Sequence, residues 1–297
     1  MRVLHVIPGI ARGFGGPAQV CREMCRELAQ LGLYVEIFTT DADINGAWLS
    51  VPKNRPIAED GYRISFFHLH IWRYGLSLPM ARMMSHRIRE FDVVHIHSLY
   101  TFSTAFAAYV CRRDRVPYIL RPHGTLDPFM RGRNSFLKGI YTKLIERKNL
   151  DSAAAIHYTT AEEMRLTADM RLHPIGIVIP NGIMASEYRN LPSPTALVNA
   201  HPALAGKRII LYLGRINFKK GFDILAKAFG IISREVPNVH LVIVGPDDGF
   251  GTQVREWLAC EGVLDRTTFT GMLEGQDKLT AFAAAECFVL PSYTENF

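Results

Sequence analysis

Four stretches of this 297-residue chain carry residue types and spacings that suit chemistry on an anion. The first is Gly214-Arg215-Ile-Asn-Phe-Lys-Lys220-Gly221, which follows an apolar run and leads into a helical pattern. A strand-to-helix turn offers backbone N–H groups and the positive end of a helix dipole. Arg215 and Lys220 add two cations, and the whole suits a diphosphate. Each charge-assisted bond there contributes roughly 1.5–3 kcal/mol. The same residues also read as a basic surface turn. The second stretch is Arg121-Pro-His-Gly-Thr-Leu-Asp127, where a Pro/Gly setting would hold His123 as a hydrogen-bond donor or proton carrier. A structural histidine is the plainer reading. The third, Gly13-Phe-Gly-Gly16, falls short of a full G-x-G-x-x-G. Either it lets the backbone of Gly15 and Gly16 approach an anionic group, or it is a tight turn. The fourth, Pro291-Ser-Tyr-Thr-Glu295-Asn-Phe297, places a carboxylate after the last apolar run.

Metal chemistry has weaker support. Asp41-Ala-Asp43 matches a two-aspartate metal pattern but lies far in sequence from the basic turn, and such pairs are common in loops. His95 and His97 sit two apart on a strand and face the same side, so one of them is a candidate to line the cleft, but a metal pair lacks a third ligand in the sequence. Cys21 and Cys25 lie one helical turn apart with no His or Cys cluster beside them, which favours core packing. No metal is expected. The five cysteines form no CxxC pair and read as reduced thiols. No P-loop pattern GxxxxGK[ST] occurs.

These residues need elements to hold them, and the chain supplies a repeated strand–helix grammar. Strands are expected at Val3–Ile7, Leu33–Thr39, Asp92–His97, Pro117–Arg121, Ala153–Tyr158 and Ile175–Ile179. Between the first two lies a helix with Pro17 in its first turn, Val20, Met24, Leu28 and Leu31 at helical period, and Gly32 ending it. Residues 41–90 are less regular, with one helix from about 79 to 90. Phe136, Ile140 and Leu144 give the segment 134–149 an apolar face. After a weakly patterned linker, Leu191-Pro-Ser-Pro-Thr195, strands recur at Arg208–Leu213, Val239–Val244, Thr267–Thr270 and Cys287–Leu290. Alternation of this kind predicts two parallel, doubly wound α/β sheets, one over 1–190 and one over 203–297. Ligands of such sheets bind at the carboxyl ends of the strands, where all four stretches fall.

Charge and hydropathy narrow the partners. The net charge is +6, and residues 112–148 hold ten Lys and Arg against three Asp and Glu. That segment is either a solvated basic face or a contact for an anionic membrane surface. Nothing in the chain resembles a nucleic-acid-binding motif, and nucleic acid is not expected as a partner. No apolar run is long enough to cross a membrane, and the first residues do not form a signal peptide. A cytoplasmic protein is expected, with peripheral attachment to the inner face of the plasma membrane as a further expectation.

Together the motifs resemble retaining GT-B glycosyltransferases of group 1, or family 4. The resemblance spans Met1 to Phe297 and is most specific at Gly214–Gly221, Val244-Gly245-Pro246 and Pro291–Phe297. Arg121-Pro-His-Gly-Thr-Leu-Asp-Pro-Phe129 and Ala153-Ala-Ala-Ile-His-Tyr-Thr-Thr160 resemble the members that build bacterial exopolysaccharides or lipopolysaccharides. It implies two Rossmann-like domains facing a cleft, with a UDP- or GDP-sugar on the second and a glycan or polyprenyl-linked acceptor on the first. By it, Arg215 and Lys220 neutralise the departing diphosphate, His123 contacts the transferred sugar, and Gly15 and Gly16 lie near the phosphates. Met272 and Leu273 meet the base, Glu295 contacts the donor sugar, and Asn296 and Phe297 belong to the donor-binding site. The implied chemistry is front-face transfer with retained configuration and no metal cofactor. The family's second glutamate would fall at position 303, beyond Phe297, so a truncated chain is expected. A non-catalytic nucleotide-sugar-binding protein is the alternative of another class. A nucleotide-sugar epimerase needs Tyr-x3-Lys, which no tyrosine here provides; four residues after Tyr141 stands Ile145.

Overall fold

The computed structural model describes residues 1–43, 46–132 and 139–295, and the chain forms two compact units that divide between Gly182 and Ile183. This division precedes the boundary expected at residue 190. The helix Ala185–Arg189 belongs to the second unit, where the Tyr188 ring packs edge-on against Phe282 at 6.3 Å.

The first unit is built on an eight-stranded sheet. Its strands are β1 (Arg2–Gly9), β2 (Tyr34–Thr40), β3 (Pro56–Glu59), β4 (Tyr62–Phe67), β5 (Val93–His97), β6 (Tyr118–Arg121), β7 (Ala155–Tyr158) and β8 (Ile175–Val178). They lie in the order β3-β4-β2-β1-β5-β6-β7-β8, parallel except for β3, which runs antiparallel to β4. Strands β3 and β4 fall in the stretch expected to be irregular. The signal was present: Asp60 and Gly61 both take positive φ (46° and 85°), the geometry of a two-residue hairpin turn.

Helix α1 (Gly16–Gln30) packs on one face of this sheet. Its buried stripe is Ala18, Cys21 and Cys25; Val20 and Met24 are half-buried, and Leu31 is 78% exposed. The expected apolar face is therefore displaced, because small side chains let the helix approach the strands closely. Gly32 ends the helix with φ 83°, its N–H donating to Ala29, while Leu33 N–H donates to Leu28. Helices α2 (Leu78–Arg87) and α3 (Phe102–Asp114) contribute to the core on the other face, with Leu4, Val6, Val94, Ile96, Leu120 and Ile156.

The segment expected as an amphipathic helix over 134–149 also differs. Phe136 lies outside the described residues. From Thr142 to Glu146 the chain makes a π-helical turn that runs into the helix Arg147–Asp151. Ile140 and Leu144 face outward (44% and 71% exposed), whereas Glu146, Asn149 and Leu150 are buried. A buried carboxylate needs hydrogen-bond partners, and those partners, given below, fix which face turns inward.

The second unit carries strands β9 (Arg208–Leu213), β10 (Val239–Val244), β11 (Thr267–Gly271) and β12 (Ala285–Phe288), all parallel, in the order β11-β10-β9-β12. The last strand begins two residues before its expected start at Cys287. The helix Phe222–Glu235 buries Phe222, Leu225, Ala226 and Phe229, an i, i+3, i+4, i+7 stripe against the sheet. In both sheets the chain winds outward on one side of a central strand and then returns to the other side. The reversals fall between β1 and β5 and between β9 and β12, which places a crevice outside the carboxyl ends of each pair.

Candidate functional site

In the second unit the turn after β9 and the segment after β12 meet at that reversal. Asn217 accepts the Lys219 N–H at 3.2 Å and starts a short 3-10 turn, Phe218–Lys220, that aims Lys220 inward. Gly221 follows at φ 65°, and a Cβ there would overlap the Pro291 carbonyl oxygen. Only glycine permits the two segments to lie so close. Tyr293 N–H donates to the Lys219 carbonyl at 2.9 Å, and the Tyr293 hydroxyl donates to Asp223 at 2.5 Å. Lys220 Nζ pairs with Glu295 Oε1, which also accepts the Ser292 hydroxyl at 2.5 Å.

Arg215 has a partner of its own. Its Nη1 lies 2.9 Å from Asp248 Oδ2, which also accepts the Asn217 amide at 2.8 Å. Asp248 is set by the loop after β10, where Gly245 (φ 143°) presses against the Gly214 carbonyl. Both cations thus stand at the carboxyl edge, each held by one carboxylate. Asn217, Asp248 and Ser292 were not singled out from the sequence. Asp248 lies two residues beyond Val244-Gly245-Pro246, which was the available signal. Met272 and Leu273 sit beyond β11 on the same edge, Met272 exposed and Leu273 packed on the core around Leu197 and Ala281. Asn296 and Phe297 lie outside the described residues.

In the first unit His123 follows β6 in left-handed backbone conformation, φ 51°. Ser98 and Tyr100, after β5, share that region at 75° and 63°. Non-glycine residues held there cost of order 1 kcal/mol or more, and such strain gathers at functional loops. Two buried glutamates hold these loops in place. Glu163 accepts the Gly124 N–H with one oxygen (2.7 Å) and the Thr159 N–H and hydroxyl with the other (2.7 and 2.8 Å). Glu146 accepts the Tyr100 N–H at 2.7 Å and the Asn149 amide at 3.0 Å. Burial raises the Glu146 carboxyl above its ordinary value, against those hydrogen bonds. At the start of α1, Gly15 takes φ 76° and no side chain caps the helix. Gly16 is exposed, with nothing within 4 Å of an added Cβ, so a ligand can approach its backbone.

Beneath these loops runs a buried polar row that the sequence reading had only in part. Strand register puts His5 opposite His95 and His97 opposite Arg121, so these side chains share the face covered by α1. His157, two residues beyond Ala155 on β7, joins them. His157 Nε2 donates to the Ile179 carbonyl at 3.0 Å and its Nδ1 lies 3.4 Å from His95 Nε2. Burial, followed by the neighbouring histidines and arginine, holds His95 and His97 neutral, their pKa values well below the ordinary range. It lowers His123 to about 3 and His157 to about 4. Arg121 is fully buried, bonded to Asn181 through Nη2, and burial lowers it to about 10. His95 and His97 therefore belong to the interior and do not line a surface.

The two-aspartate pattern finds a structural use at Asp41, fully buried and bonded to Lys53 (2.8 Å), His68 (3.0 Å) and the Leu69 N–H (2.8 Å). Cys21 does have histidines beside it, contrary to the expectation: ligand atoms of His5, Cys21 and His97 lie within 4.8 Å of one another. Both His97 nitrogens are already committed, to His5 and to His123. The basic stretch 112–148 is not one uniform face. Arg121 is interior, Arg131 pairs with Asp169, and Arg147 binds Asp151 and the Met170 and Arg171 carbonyls. A cavity of about 550 Å³ beside it is lined by Tyr100, Arg131, Thr142, Lys143, Arg147 and Asp169, among others. Among the described residues no helix is long and apolar enough to cross a membrane.

Two parallel α/β sheets with cationic and glycine turns at their carboxyl edges define a protein of the GT-B class. Residues 15–182 match the glycosyl transferase 4-like domain and residues 196–297 match the glycosyl transferases group 1. The chain belongs to this family of glycosyltransferases. It is 26% identical to an uncharacterized glycosyltransferase of Methanocaldococcus jannaschii over 95% of this chain and 72% of that one. It is 27% identical to the D-inositol 3-phosphate glycosyltransferase of Nocardia farcinica, over 91% and 63% of the two chains. Identity is 26% with the GDP-mannose:cellobiosyl-diphosphopolyprenol alpha-mannosyltransferase of Xanthomonas oryzae, over 100% and 74%. The chain thus spans between 63% and 74% of the length of the last two relatives. Among solved structures, sucrose-phosphate synthase of Thermosynechococcus elongatus superposes with a TM-score of 0.75 at 20% identity, covering all of this chain and 77% of that one. Anabaena HepE, solved in complex with UDP and glucose, gives 0.74 at 15%, covering 100% and 76%.

Proposed function

We propose that the protein transfers a sugar from a UDP- or GDP-sugar to a glycan or polyprenyl-linked acceptor, retaining the anomeric configuration. The observation that carries this is the pair Arg215 and Lys220 at the reversal point of the second sheet, each beside a single carboxylate. A nucleoside diphosphate leaving the sugar accumulates negative charge, and fixed cations placed in advance stabilise that charge most effectively. The diphosphate takes Arg215 and Lys220, and Glu295 turns to the hydroxyls of the donor sugar. Met272 and Leu273 offer backbone groups to the base. His123 contacts the transferred sugar, held for that purpose in a strained loop that Glu163 anchors. Gly15 and Gly16 present the first amides of α1 to the phosphates. With two cations on the leaving group, transfer proceeds without a metal cofactor.

The relatives' names support a phosphate-bearing acceptor, since one is titled for cellobiosyl-diphosphopolyprenol. The cavity lined by Arg131, Lys143 and Arg147 has the charge for such a group. The test is transfer of labelled sugar from a panel of UDP- and GDP-sugars to polyprenyl-diphosphate-linked glycans, with product anomer read by NMR. One donor should give an α-linked product from an α-donor. Hydrolysis and transfer absent with every donor would contradict the reading.

Exposed Ile140 and Leu144 next to Lys143 suit an anionic lipid surface that would supply a lipid-linked acceptor. Co-sedimentation with vesicles should rise with anionic lipid content and fall in Lys143→Glu; equal sedimentation with neutral vesicles would contradict it.

A further inference from the structure

His5, His97 and His123 are joined end to end. His5 Nδ1 lies 2.9 Å from His97 Nε2, and His97 Nδ1 lies 3.0 Å from His123 Nε2. A neutral imidazole carries one N–H and one lone pair, so each link needs a donor on one side and an acceptor on the other. The protons of the chain must then all point one way, and only two arrangements exist. The far end decides between them. His5 is fully buried, and its Nε2 has no hydrogen-bond partner among the described residues. A buried N–H without an acceptor is rarer and costlier than a lone pair without a donor. The favoured arrangement leaves a lone pair on His5 Nε2 and puts the proton on Nδ1 of all three rings.

We propose that His97 and His5 are positioning residues that fix His123 as its Nδ1–H tautomer, so that it acts as a hydrogen-bond donor and not as a base. The proposal rests on the reading of His123 as the group that contacts the transferred sugar. Isolated neutral histidine favours the other tautomer, so a free ring in this loop would not hold this one unaided. The left-handed backbone at residue 123 sets the ring's origin, and the bond to His97 sets its rotation and protonation. Cys21 lies beside His5, and hydrogen bonds from Cys25 and also from His5 draw its thiol down against burial. A proton held on His5 Nε2 by that sulfur would give the reversed chain, which the wild-type spectrum would show as His123 protonated on Nε2.

Long-range ¹H–¹⁵N correlation of histidine-labelled protein at pH 7.5 distinguishes the two. The expected result is one His123 species with Nδ1 protonated and Nε2 bare. In His97→Phe, that signal should shift toward the Nε2–H form, and kcat should fall by ~10–100-fold with donor Kd unchanged. His97→Gln, whose amide can still donate to His123 Nε2, should recover part of the loss. His123 protonated on Nε2 in the wild type, or an unaltered Nδ1–H signal in His97→Phe, overturns the proposal. Full activity in His123→Ala with the wild-type tautomer as predicted would instead sink the role of His123 in transfer, leaving the direction of the chain established.

Discussion

Lys220→Ala is expected to lower turnover of the donor by ~10²–10³-fold, and Arg215→Ala by a similar factor, because each removes a fixed cation from the leaving group. The two losses differ in origin. Arg215 shares its carboxylate with Asn217, so its removal leaves Asp248 one hydrogen-bond donor. Lys220 is the only cation the structure pairs with Glu295 among the described residues. Its removal leaves that carboxylate facing the incoming diphosphate, adding like-charge repulsion to the lost attraction. The double variant Lys220→Ala/Glu295→Gln should therefore regain ~10-fold over Lys220→Ala in kcat/KM, about 1.4 kcal/mol of transition-state free energy, and Glu295→Gln alone completes the cycle that gives the coupling. Steady-state kinetics on the purified protein give both numbers. Turnover within threefold of wild type in both single variants would remove the leaving-group role from these side chains.

The second large effect is on stability. Lowering the pH from 7 toward 4 should destabilise the first unit steeply. His123 and His157 are held down to about 3 and about 4, and His95 and His97 are lowered as well, in each case chiefly by burial. In an unfolded chain the same rings titrate near 6.5. Below that value the unfolded state binds protons that the folded state refuses. Stability is therefore complete above about 6.5 and falls as pH drops toward the folded values, by at most about 1.4 kcal/mol per pH unit for each imidazole. His123 and His157 alone would remove several kcal/mol of a net stability of about 5–15 kcal/mol before pH 4, and His95 and His97 act in the same direction. Urea midpoints followed by circular dichroism at pH 7.5, 6 and 5 should decline in step. His95→Phe, which removes one titrating ring, should flatten the slope, and midpoints that do not move over this range would contradict the account.

The parallel α/β order and the donor-side turn were legible from the chain because they rest on local signals. A strand followed by Gly214-Arg215 and a helix start is written contiguously, and its place at the carboxyl edge follows from the strand order. What joined Lys220 to Glu295 was harder to see, since the two are 75 residues apart and meet only because β12 returns beside β9. The hairpin at Asp60-Gly61 carried its own turn signal and was passed over for want of regular hydrophobic alternation around it. The histidine row was out of reach for another reason. His5, His97, Arg121 and His157 come from four strands, and only the register of a finished sheet shows that they share one face. Likewise Glu146 and Glu163 look like ordinary surface acids of helical segments until the amides of Tyr100 and Gly124 are found pointing at them.

The central claim is that the second unit receives a nucleoside diphosphate through Arg215 and Lys220. Calorimetric titration of UDP and of GDP into wild type, Arg215→Ala and Lys220→Ala tests it most directly. The account predicts that at least one nucleotide binds wild type, with affinity that weakens in added salt and drops by ~10-fold or more in each variant. Binding of neither nucleotide, or binding indifferent to both substitutions, would contradict it.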